Sequence, residues 1–450
     1  MIDDWKARGG EIAVVGLGKS GVAAGLLLRE RGVQVYASDT GTTKAHERWA
    51  ARLGESGAQV QLGDHDLDRI ARATAVVVAP GVPPDVPPLA RARNAGVPIH
   101  AETDLGVSEL RGTRYVAVTG TNGKTTTTSL IGDAMAGAGI RGETAGNIGR
   151  PVCDVARLPD PPDWLALELS SFQLHDMPSV DPAVGVLTNL APNHLDRYAS
   201  LEEYYGDKAL LFRNARSESV WITNADDPAV QGMASGVRGS HRRFSIRERA
   251  DAWYDRERNA LMLGARPVLD RRRLPILGDH NVANALAALL AVESIGGEPA
   301  RIAESLTTFR SISHRVEPVR EVDGVLWIND SKSTNVTSTE VAVLALDRPF
   351  VLLLGGRHKG EPYSRLIPLL RERCRAVVAY GESGDIVEAD LGAALRVVRA
   401  GSFDEVLATA RREARSGDAV LLSPACSSYD MFNNYEERGE RFRAAVEAMR

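Results

Sequence analysis

The feature that most constrains the fold is a glycine-containing loop between an apolar run and a helical pattern. Residues 115–118 are typical of a buried strand, and apolar residues recur at helical spacing after position 129. Between them lies Gly120-Thr-Asn-Gly-Lys-Thr125, whose backbone N–H groups are suited to hold phosphate at the helix N-terminus. Lys124 is then placed to reach the β- and γ-phosphates, and Thr125 to bind Mg²⁺. A plain glycine turn before an ordinary helix is the alternative, but it does not explain Lys-Thr at the helix start.

This loop departs from the full phosphate-loop pattern at one position. The eight-residue form has a glycine where this chain has Val118. The loop therefore predicts a nucleotide-binding α/β domain, and the six-residue form alone does not specify which triphosphatase class.

Length and composition limit the classes of protein that this chain can belong to. At 450 residues it exceeds one core, and we expect about three domains. The net charge of −5 argues against nucleic acid as a partner. Three widely spaced cysteines suit a reducing compartment. No signal peptide and no apolar run approaching about 18 residues is visible, so we expect a cytoplasmic protein without a membrane span.

The N-terminal segment carries a second glycine pattern. A strand at 11–15 is followed by Gly16-Leu-Gly-Lys-Ser-Gly21, then a helix to about residue 30 and a strand at 33–37. Asp39 lies 18 residues past the last glycine, as in dinucleotide-binding units. We expect a phosphate-bearing ligand on the helix N-terminus, with Asp39 at a ribose or base. A glycine turn with a solvated aspartate is the alternative.

The phosphate loop suggests a function for one acidic and one basic residue of the middle segment, Glu168 and Lys208. After a linker near 105–113 and the loop itself, the strand at 163–168 ends in Glu168, where an acid usually holds Mg²⁺. A solvated strand-end glutamate is the alternative. Further on, Ser200 and Glu203 predict a helix start, and Lys208 falls within its apolar stripe. A lysine facing inward tends to lose its proton, whereas a snorkelling lysine keeps its head in water.

The last segment predicts another α/β sheet. Residues 218–275 read as short strands with many arginines, and a helix containing His280, Asn281 and Asn284 follows. From about Ser311, strands are expected at 325–329, 350–354, 376–379 and 419–422. Three of these strands end in loops rich in Lys, Ser and Thr, which should form one rim suited to carboxylate or phosphate. We predict an α/β protein of three domains: a Rossmann-like domain at 1–104, a phosphate-loop ATPase-type domain at 105–311, and a Rossmann-like domain at 312–450.

Taken in order, these motifs resemble the Mur ligase family and cover essentially the whole chain. The residues that carry the resemblance are Gly120-Thr-Asn-Gly-Lys-Thr125, Glu168-Leu-Ser-Ser-Phe-Gln-Leu174, Asn193-His-Leu-Asp-Arg197, His280-Asn-Val-Ala-Asn284, His314-Arg315, Asp330-Ser-Lys-Ser-Thr-Asn335 and Ser423-Pro-Ala-Cys426. The string Asp-Asn-Pro-Arg of the diamino-acid-adding member is absent from the sequence. The last two motifs resemble the member that adds glutamate.

The resemblance implies an ATP-dependent amide ligase of cytoplasmic peptidoglycan precursor synthesis, and hence of cell-wall growth, cell shape and division. It would join D-glutamate to UDP-N-acetylmuramoyl-L-alanine through an acyl phosphate, giving ADP and phosphate. Activating a carboxylate in this way calls mainly for positioning and charge neutralisation. ATP and two Mg²⁺ ions are the implied cofactors, one of them bound through a carbamylated Lys208. We expect a monomer.

The resemblance also assigns residues to each ligand. Catalysis would rest on Lys124, Glu168, His194, Lys208 and Lys332, and the metals on Thr125, Glu168, His194 and Lys208. ATP would contact Gly120, Thr121, Asn122, Gly123, Lys124, Thr125, Thr126, Asn281, Asn284, Arg315 and Asp330. The sugar nucleotide would contact Gly18, Lys19, Ser20, Asp39, Thr40, Asn147, Ser170, Gln173 and His194. D-glutamate would meet Lys332, Thr334, Lys359, Ser428 and Tyr435.

Two other functions remain open at this point. A folylpolyglutamate synthase of the same superfamily joins glutamate to another carboxylate, but such enzymes generally begin at the phosphate loop. A nicotinamide oxidoreductase would use Gly16 to Asp39 as its cofactor site, and would leave Lys124, Glu168 and Lys208 without a role.

Overall fold

The structure, a computed structural model, describes residues 1–192, 198, 200–310 and 313–449. His194 and Ser311, both named above, lie outside the described residues. Over the described residues, parallel strands alternate with helices in three sheets. The α/β prediction is confirmed.

The N-terminal sheet is parallel throughout, in the order β3-β2-β1-β4-β5. Its strand order reverses beside β1, so the carboxyl ends of β1 and β4 flank the position where α/β sheets bind ligands. Its strands are β1 (Glu11–Val15), β2 (Gln34–Asp39), β3 (Gln59–Leu62), β4 (Ala75–Val78) and β5 (Ile99–Ala101). Its helices are α1 (Ile2–Arg8), α2 (Lys19–Glu30), α3 (Lys44–Gly54), α4 (Leu67–Ala71), α5 (Pro87–Asn94) and, leading onward, α6 (Glu102–Glu109).

The middle sheet is the longest, with a parallel part and an antiparallel extension. Its order is β14-β13-β12-β11-β10-β9-β6-β8-β7. The strands are β6 (Arg114–Thr119), β7 (Gly142–Gly146), β8 (Trp164–Glu168), β9 (Val184–Leu187), β10 (Val220–Asn224), β11 (Ser240–Ser245), β12 (Ala252–Asp255), β13 (Ala260–Leu263) and β14 (Arg266–Asp270). The helices are α7 (Lys124–Gly137), α8 (Val152–Ala156), α9 (Ser171–His175), α10 (Leu201–Ala209), α11 (Pro228–Ala234), α12 (Asp279–Ser294) and α13 (Pro299–Thr308). The short strands predicted at 218–275 are this extension. Its outer strand β14 carries Arg266 and Pro267 and is bulged next to them, since Val268 is skipped between the pairs Leu261–Leu269 and Met262–Pro267.

The C-terminal sheet has the order β15-β16-β20-β17-β18-β19 and is parallel apart from the hairpin β15–β16. The strands are β15 (Glu317–Val322), β16 (Val325–Asn329), β17 (Phe350–Gly355), β18 (Cys374–Tyr380), β19 (Val397–Ala400) and β20 (Ala419–Leu422). The helices are α14 (Val336–Leu344), α15 (Ile367–Leu370), α16 (Gly384–Leu391), α17 (Phe403–Glu413) and α18 (Tyr435–Ala448). Because β16, β20 and β17 are parallel neighbours, the loops that follow them leave the same edge, and the predicted rim is confirmed.

The linker predicted at 105–113 is wrong over most of its length. Residues Glu102–Glu109 form α6, whose first turn (Glu102, Thr103 and Asp104) is fully buried and whose Gly106 packs on α8. The helix begins before the predicted linker, and the polar side chains of its first turn are buried with hydrogen-bond partners on the middle domain.

The chain divides into two compact units. One comprises Met1–Arg273 and Val282–Thr307, and the other comprises Leu274–Asn281 and Thr308–Arg450. In the first unit a single cluster of buried side chains runs from Ile2 to Ala234, so the N-terminal and middle sheets share a core. The boundaries 104/105 and 311/312 remain predictions. Among the described helices, none is long and apolar enough to cross a membrane.

Candidate active site

The phosphate loop leads from β6 into α7 as the sequence predicts. Gly123 lies in the left-handed region (φ 81°), and a Cβ there would come within 2.4 Å of Asn284 Oδ1. Asn284 also accepts a hydrogen bond from Thr127 on α7 (3.1 Å), so this predicted ATP residue contacts the loop. The loop backbone is held from β9, where Asn189 bonds both the N–H and the C=O of Asn122 at 2.9 Å. These contacts tie the loop and the start of α7 to Asn189 and Asn284.

Lys208 and Lys124 meet at this loop. Lys208 is 1% exposed, and its Nζ donates to Gly120 O at 2.7 Å. Lys124 Nζ donates to the same carbonyl oxygen at 3.0 Å and to Thr121 O at 2.8 Å. Burial first, and the neighbouring Lys124 second, hold the pKa of Lys208 well below its usual value. The inward lysine is confirmed and the snorkelling alternative is wrong.

Glu168 ends β8 beside β6 and is 1% exposed, so the solvated alternative for this residue is also wrong. One carboxylate oxygen accepts from Asn147 Nδ2 at 2.8 Å. The other, Oε2, is buried without a hydrogen-bond partner among the described residues. A buried carboxylate oxygen left in this state is suited to a cation, because Mg²⁺ prefers oxygen ligands.

The residues present fit a magnesium ion in part. Glu168 Oε2 supplies the orphaned oxygen and Thr125, in the first turn of α7, a hydroxyl. No group of three His, Cys, Asp or Glu side chains is assembled within the part of the chain that the structure describes. Lys208 as an amine is not a metal ligand, and His194 lies outside the described residues.

A cleft of about 750 Å³ opens at the carboxyl ends of β1, β2 and β4. Six of the predicted sugar-nucleotide residues line it: Gly18, Lys19, Ser20, Asp39, Thr40 and Asn147. Asp39 accepts from the backbone N–H of Leu17 (2.6 Å) and of Gly41 (2.7 Å), and its side chain is 18% exposed. The solvated alternative for Asp39 is therefore wrong. Gly21 is required at the start of α2, since a Cβ there would lie 1.8 Å from Gly16 O.

His65 lines the same cleft and was not predicted. Its Nδ1 lies 2.8 Å from Ser38 Oγ, and burial lowers its pKa although Asp39 and Asp64 oppose the shift. A neutral imidazole with both a donor and an acceptor is suited to a base or ribose. His65 follows β3, a strand that the sequence analysis missed because Gln59, Gln61 and Gly63 give it no apolar run.

Ser170 and Gln173 stand at the start of α9. Ser170 caps this helix, and Gln173 Oε1 accepts from Ser170 N (3.0 Å) and Ser170 Oγ (2.9 Å), so the two form a capping box. Gln173 lines a second cleft of about 610 Å³, which shares Ala79, Pro80 and Val82 with the first. These two predicted residues are thus tied to each other at the border of the substrate clefts.

The second unit carries the predicted D-glutamate residues on or beside its rim, and two pairs of them lie close together. Lys359 Nζ donates to Thr334 Oγ1 at 3.3 Å, and Lys332 Nζ lies 5.6 Å from the centre of the Tyr435 ring. Ser428 is buried in the loop after β20. Lysines and hydroxyls gathered in this way are suited to carboxylates.

Three predicted ATP residues also belong to this unit. Asp330 is buried and accepts from Val316 N and Ser423 Oγ, and burial raises its pKa to about 6. Arg315 lies close enough to lower that pKa. Asn281 Nδ2 donates to Leu277 O at 2.8 Å.

Arg438 is a further residue of the rim that the sequence analysis missed. Its side chain is completely buried, and its guanidinium donates to Ser331 O (2.8 Å), Ser331 Oγ (2.9 Å) and Cys426 O (3.3 Å). A Cβ on Gly356 would lie 3.4 Å from Arg438 Nη1. It therefore donates to the loops after β16 and β20, and Gly356 of the loop after β17 lies beside its guanidinium. The available signal was its position one helical turn after Tyr435 on α18.

Comparison with known proteins agrees with this geometry. Three family models match the chain: the MurD-like Mur ligase N-terminal domain at 10–101, the Mur ligase middle domain at 118–292, and the Mur ligase glutamate ligase domain at 314–426. A curated UDP-N-acetylmuramoylalanine--D-glutamate ligase of Acidobacterium capsulatum is 39% identical, covering 98% of this chain and 97% of that protein. The protein of that name from Pelotomaculum thermopropionicum is 37% identical, covering 99% of each chain.

The chain belongs to the Mur ligase family. As a Mur ligase it has the three domains that the sequence predicts, and the nicotinamide oxidoreductase alternative is set aside. Solved structures agree on the fold. UDP-N-acetylmuramate-alanine ligase MurC from Thermotoga maritima superposes with a TM-score of 0.62 at 20% identity, covering 98% of this chain and 100% of that one. MurF from Acinetobacter baumannii gives 0.60 at 16% identity, covering 96% and 93%.

Proposed function

We propose that this Mur ligase joins D-glutamate to UDP-N-acetylmuramoyl-L-alanine at the cost of ATP. The observation that carries the proposal is the near-full-length identity of 35–39% to curated ligases named for that reaction. The phosphate loop with two lysines, and a separate rim rich in lysine and hydroxyl groups, support it. We infer a cytoplasmic monomer of peptidoglycan precursor synthesis.

The reaction has two steps. The carboxylate of the alanyl group attacks the γ-phosphorus of ATP, so that an acyl phosphate forms and ADP leaves. The amine of D-glutamate then attacks the acyl carbon, an amide bond forms, and phosphate departs while the amine loses a proton. Both steps move negative charge, so fixed cations and backbone N–H groups are the main contribution of the protein.

In the first step Lys124 and the loop N–H groups neutralise the γ-phosphate. Thr188 and Asn189 both donate to the carbonyl oxygen of Asn122, which holds the backbone of the loop at this residue. Two Mg²⁺ ions, when bound, supply further charge neutralisation. We propose that Thr125 and Glu168 hold one of them, and that His194 and a carbamylated Lys208 hold the other.

The carbamate rests on the state of the Lys208 amine. A protonated lysine neither binds metal nor reacts with CO₂, and burial beside Lys124 disfavours that form. The neutral amine adds to the carbon of CO₂ and loses a proton, which gives a carboxylate-like group. This change would turn a repulsive contact between two lysines into an attractive one.

In the second step the rim of the C-terminal sheet binds D-glutamate. We propose Lys332, Thr334, Lys359, Ser428 and Tyr435 as its contacts, because two ammonium groups match two carboxylates. Arg315, Asp330 and Asn281 are proposed for the nucleotide, together with Asn284, Thr126 and the phosphate loop. The sugar nucleotide is proposed to bind the residues lining the N-terminal cleft, with Ser170, Gln173 and His194 beyond it.

A phosphate-release assay tests the proposal. ATP and UDP-N-acetylmuramoyl-L-alanine are supplied with D-glutamate, L-glutamate or a diamino acid in parallel. We expect phosphate release with D-glutamate, and none with L-glutamate or the diamino acid. Release only with the diamino acid, or only when a folate replaces the sugar nucleotide, would assign the enzyme to another branch of the superfamily.

A further inference from the structure

Four consecutive residues join the N-terminal sheet to the middle domain. They are residues 101–104, here called the β5–α6 junction, and each forms a hydrogen bond with a different position of the middle domain. The bonds run from Ala101 N to Asp176 O (2.6 Å), from Cys153 N to Glu102 Oε1 (2.7 Å), from Gln173 Nε2 to Thr103 Oγ1 (2.9 Å), and from Ser179 Oγ to Asp104 Oδ1. Three of these bonds end on residues with no proposed role in the reaction.

The bond of Thr103 differs, because its partner is a predicted substrate residue. Thr103 is completely buried and Gln173 is 1% exposed. Gln173 Oε1 is occupied by the N–H and hydroxyl of Ser170, so its Nε2 must face Thr103. If the amide turned over, Nε2 would oppose the Ser170 N–H, two donors facing each other. Thr103 thus completes the set of bonds that fixes the Gln173 amide and, through it, Ser170.

The position of Gln173 links this network to the substrate. Gln173 and Phe172 line the cleft of about 610 Å³, whose other wall includes Ala79, Pro80 and Val82. The same three residues also line the cleft that holds Gly18, Asp39 and Asn147. Gln173 therefore lies at a cleft that adjoins the predicted sugar-nucleotide residues.

We propose that Thr103 is a positioning residue for the sugar-nucleotide substrate. Its hydroxyl holds the Gln173 amide, and with it the Ser170 hydroxyl, in the orientation that the substrate meets. Loss of the hydroxyl leaves a buried Nε2–H without an acceptor and frees the amide to turn. The inference rests on the proposed function, in that the ligand is taken to be a UDP-sugar bearing a carboxylate.

Thr103→Val removes the hydroxyl at nearly constant volume. We expect the KM for UDP-N-acetylmuramoyl-L-alanine, and its Kd measured by calorimetry without ATP, to rise about two- to tenfold, the loss that one buried hydrogen bond implies. The KM for ATP should stay as in the wild type. Thr103→Ser, which keeps the hydroxyl, should restore the wild-type KM. Should valine prevent folding, Thr103→Ala removes the same hydroxyl without adding a methyl group, and leaves a small cavity.

Two controls separate positioning from loosening of the junction. Ser179→Ala breaks the neighbouring bond to Asp104, and Thr113→Val repeats the same substitution where the hydroxyl donates to Pro162 O at 2.7 Å. Both should lower the melting temperature without changing the KM for the sugar nucleotide. An equal rise in KM for Ser179→Ala, or an unchanged Kd for Thr103→Val, would overturn the inference. A wild-type enzyme inactive with D-glutamate would instead contradict the proposed function.

Discussion

Lys208 places an ammonium group where the fold does not favour one. Its Nζ shares the Gly120 carbonyl with Lys124 and is nearly inaccessible to water. We expect Lys208→Ala to lower the rate of phosphate release by roughly 100-fold, because a proposed Mg²⁺ ligand is lost and the charge of the transferring phosphate is less well neutralised. A short carboxylic acid such as acetate should restore part of the rate by occupying the vacated volume.

The comparison for this substitution is Lys6→Ala, which removes an exposed lysine from α1. Its rate should equal that of the wild type, with and without acetate. Full activity of Lys208→Ala in bicarbonate-free buffer would contradict the carbamate role.

Glu102 is a buried carboxyl group, and its titration should make the free energy of unfolding depend on pH. Burial raises its pKa to about 7, and its Oε2 has no hydrogen-bond partner among the described residues. The folded state holds the proton of Glu102 more tightly than the unfolded chain does. The contribution of this group to the free energy of unfolding is therefore complete below about pH 4.5 and is lost as pH rises through about 7. Glu102→Gln cannot ionise, so at pH 8 it should unfold at a higher urea concentration than the wild type. Its free energy of unfolding at pH 8 should exceed that of the wild type by up to about 3 kcal/mol, and at pH 5 the two should not differ in this way.

Glu109→Gln provides the control for a change of net charge on the same helix. It removes a carboxylate paired with Arg31 at the far end of α6. Its difference from the wild type should not grow between pH 5 and pH 8. Parallel pH profiles for the wild type and Glu102→Gln would show that Glu102 does not titrate in this range.

At the scale of an element, the turn from β6 into α7 depends on Gly123. Alanine would be strained at φ 81° and would bring its Cβ within 2.4 Å of Asn284 Oδ1. We expect Gly123→Ala to raise the KM for ATP by about tenfold or more and to cost roughly 1–2 kcal/mol of stability. Urea unfolding and steady-state kinetics measure the two effects.

Gly112→Ala is the matched control for backbone strain. Gly112 has a φ of 91°, just before β6, and a Cβ there would meet nothing within 4 Å. Its stability should fall by a similar amount, whereas its KM for ATP should not change. A normal KM for Gly123→Ala would mean that the loop tolerates a displaced Asn284.

The elements that were predictable from sequence are those with a strong local signal. Strands β1, β16 and β20 match their predicted bounds, because each is a short apolar run closed by polar or glycine residues. The phosphate loop, Glu168 and the inward Lys208 were likewise predictable, from spacing alone. Strand β3 contains polar residues and has no apolar run, so the sequence pattern did not predict it. His65, which follows this strand, was therefore not predicted as a residue of the cleft.

The site residues that the sequence did not predict depend on partners far away in the chain. Thr103 is buried by Gln173, seventy positions away, and Arg438 by loops that leave two separate strands. No local pattern distinguishes either side chain from a solvated one. Only the packed arrangement of α6 on the middle domain, or of α18 under the rim, gives each its partner.

At the scale of the whole molecule, the two compact units have separate hydrophobic cores. We therefore expect two transitions on heating, and UDP-N-acetylmuramoyl-L-alanine should raise only the one that belongs to Met1–Arg273. At a ligand concentration of 100 times Kd the added stability is about 2.7 kcal/mol. Scanning calorimetry with and without the ligand measures the shift.

Two core substitutions assign the transitions. Leu27→Ala and Leu352→Ala each remove a fully buried side chain, one from each unit, at a cost of about 2–5 kcal/mol. Each should lower one transition and leave the other in place. A single transition lowered by both substitutions would show that the units unfold together.

The bulged outer strand β14 affects whether another chain can pair with the open edge of the middle sheet. An open sheet edge exposes unpaired backbone groups, and another chain can add to it as a further strand. Proline at 267 has no N–H to offer such a chain, and Arg266 places an exposed charge on the same strand. This end of the longest sheet is thereby protected against edge-to-edge pairing with another chain.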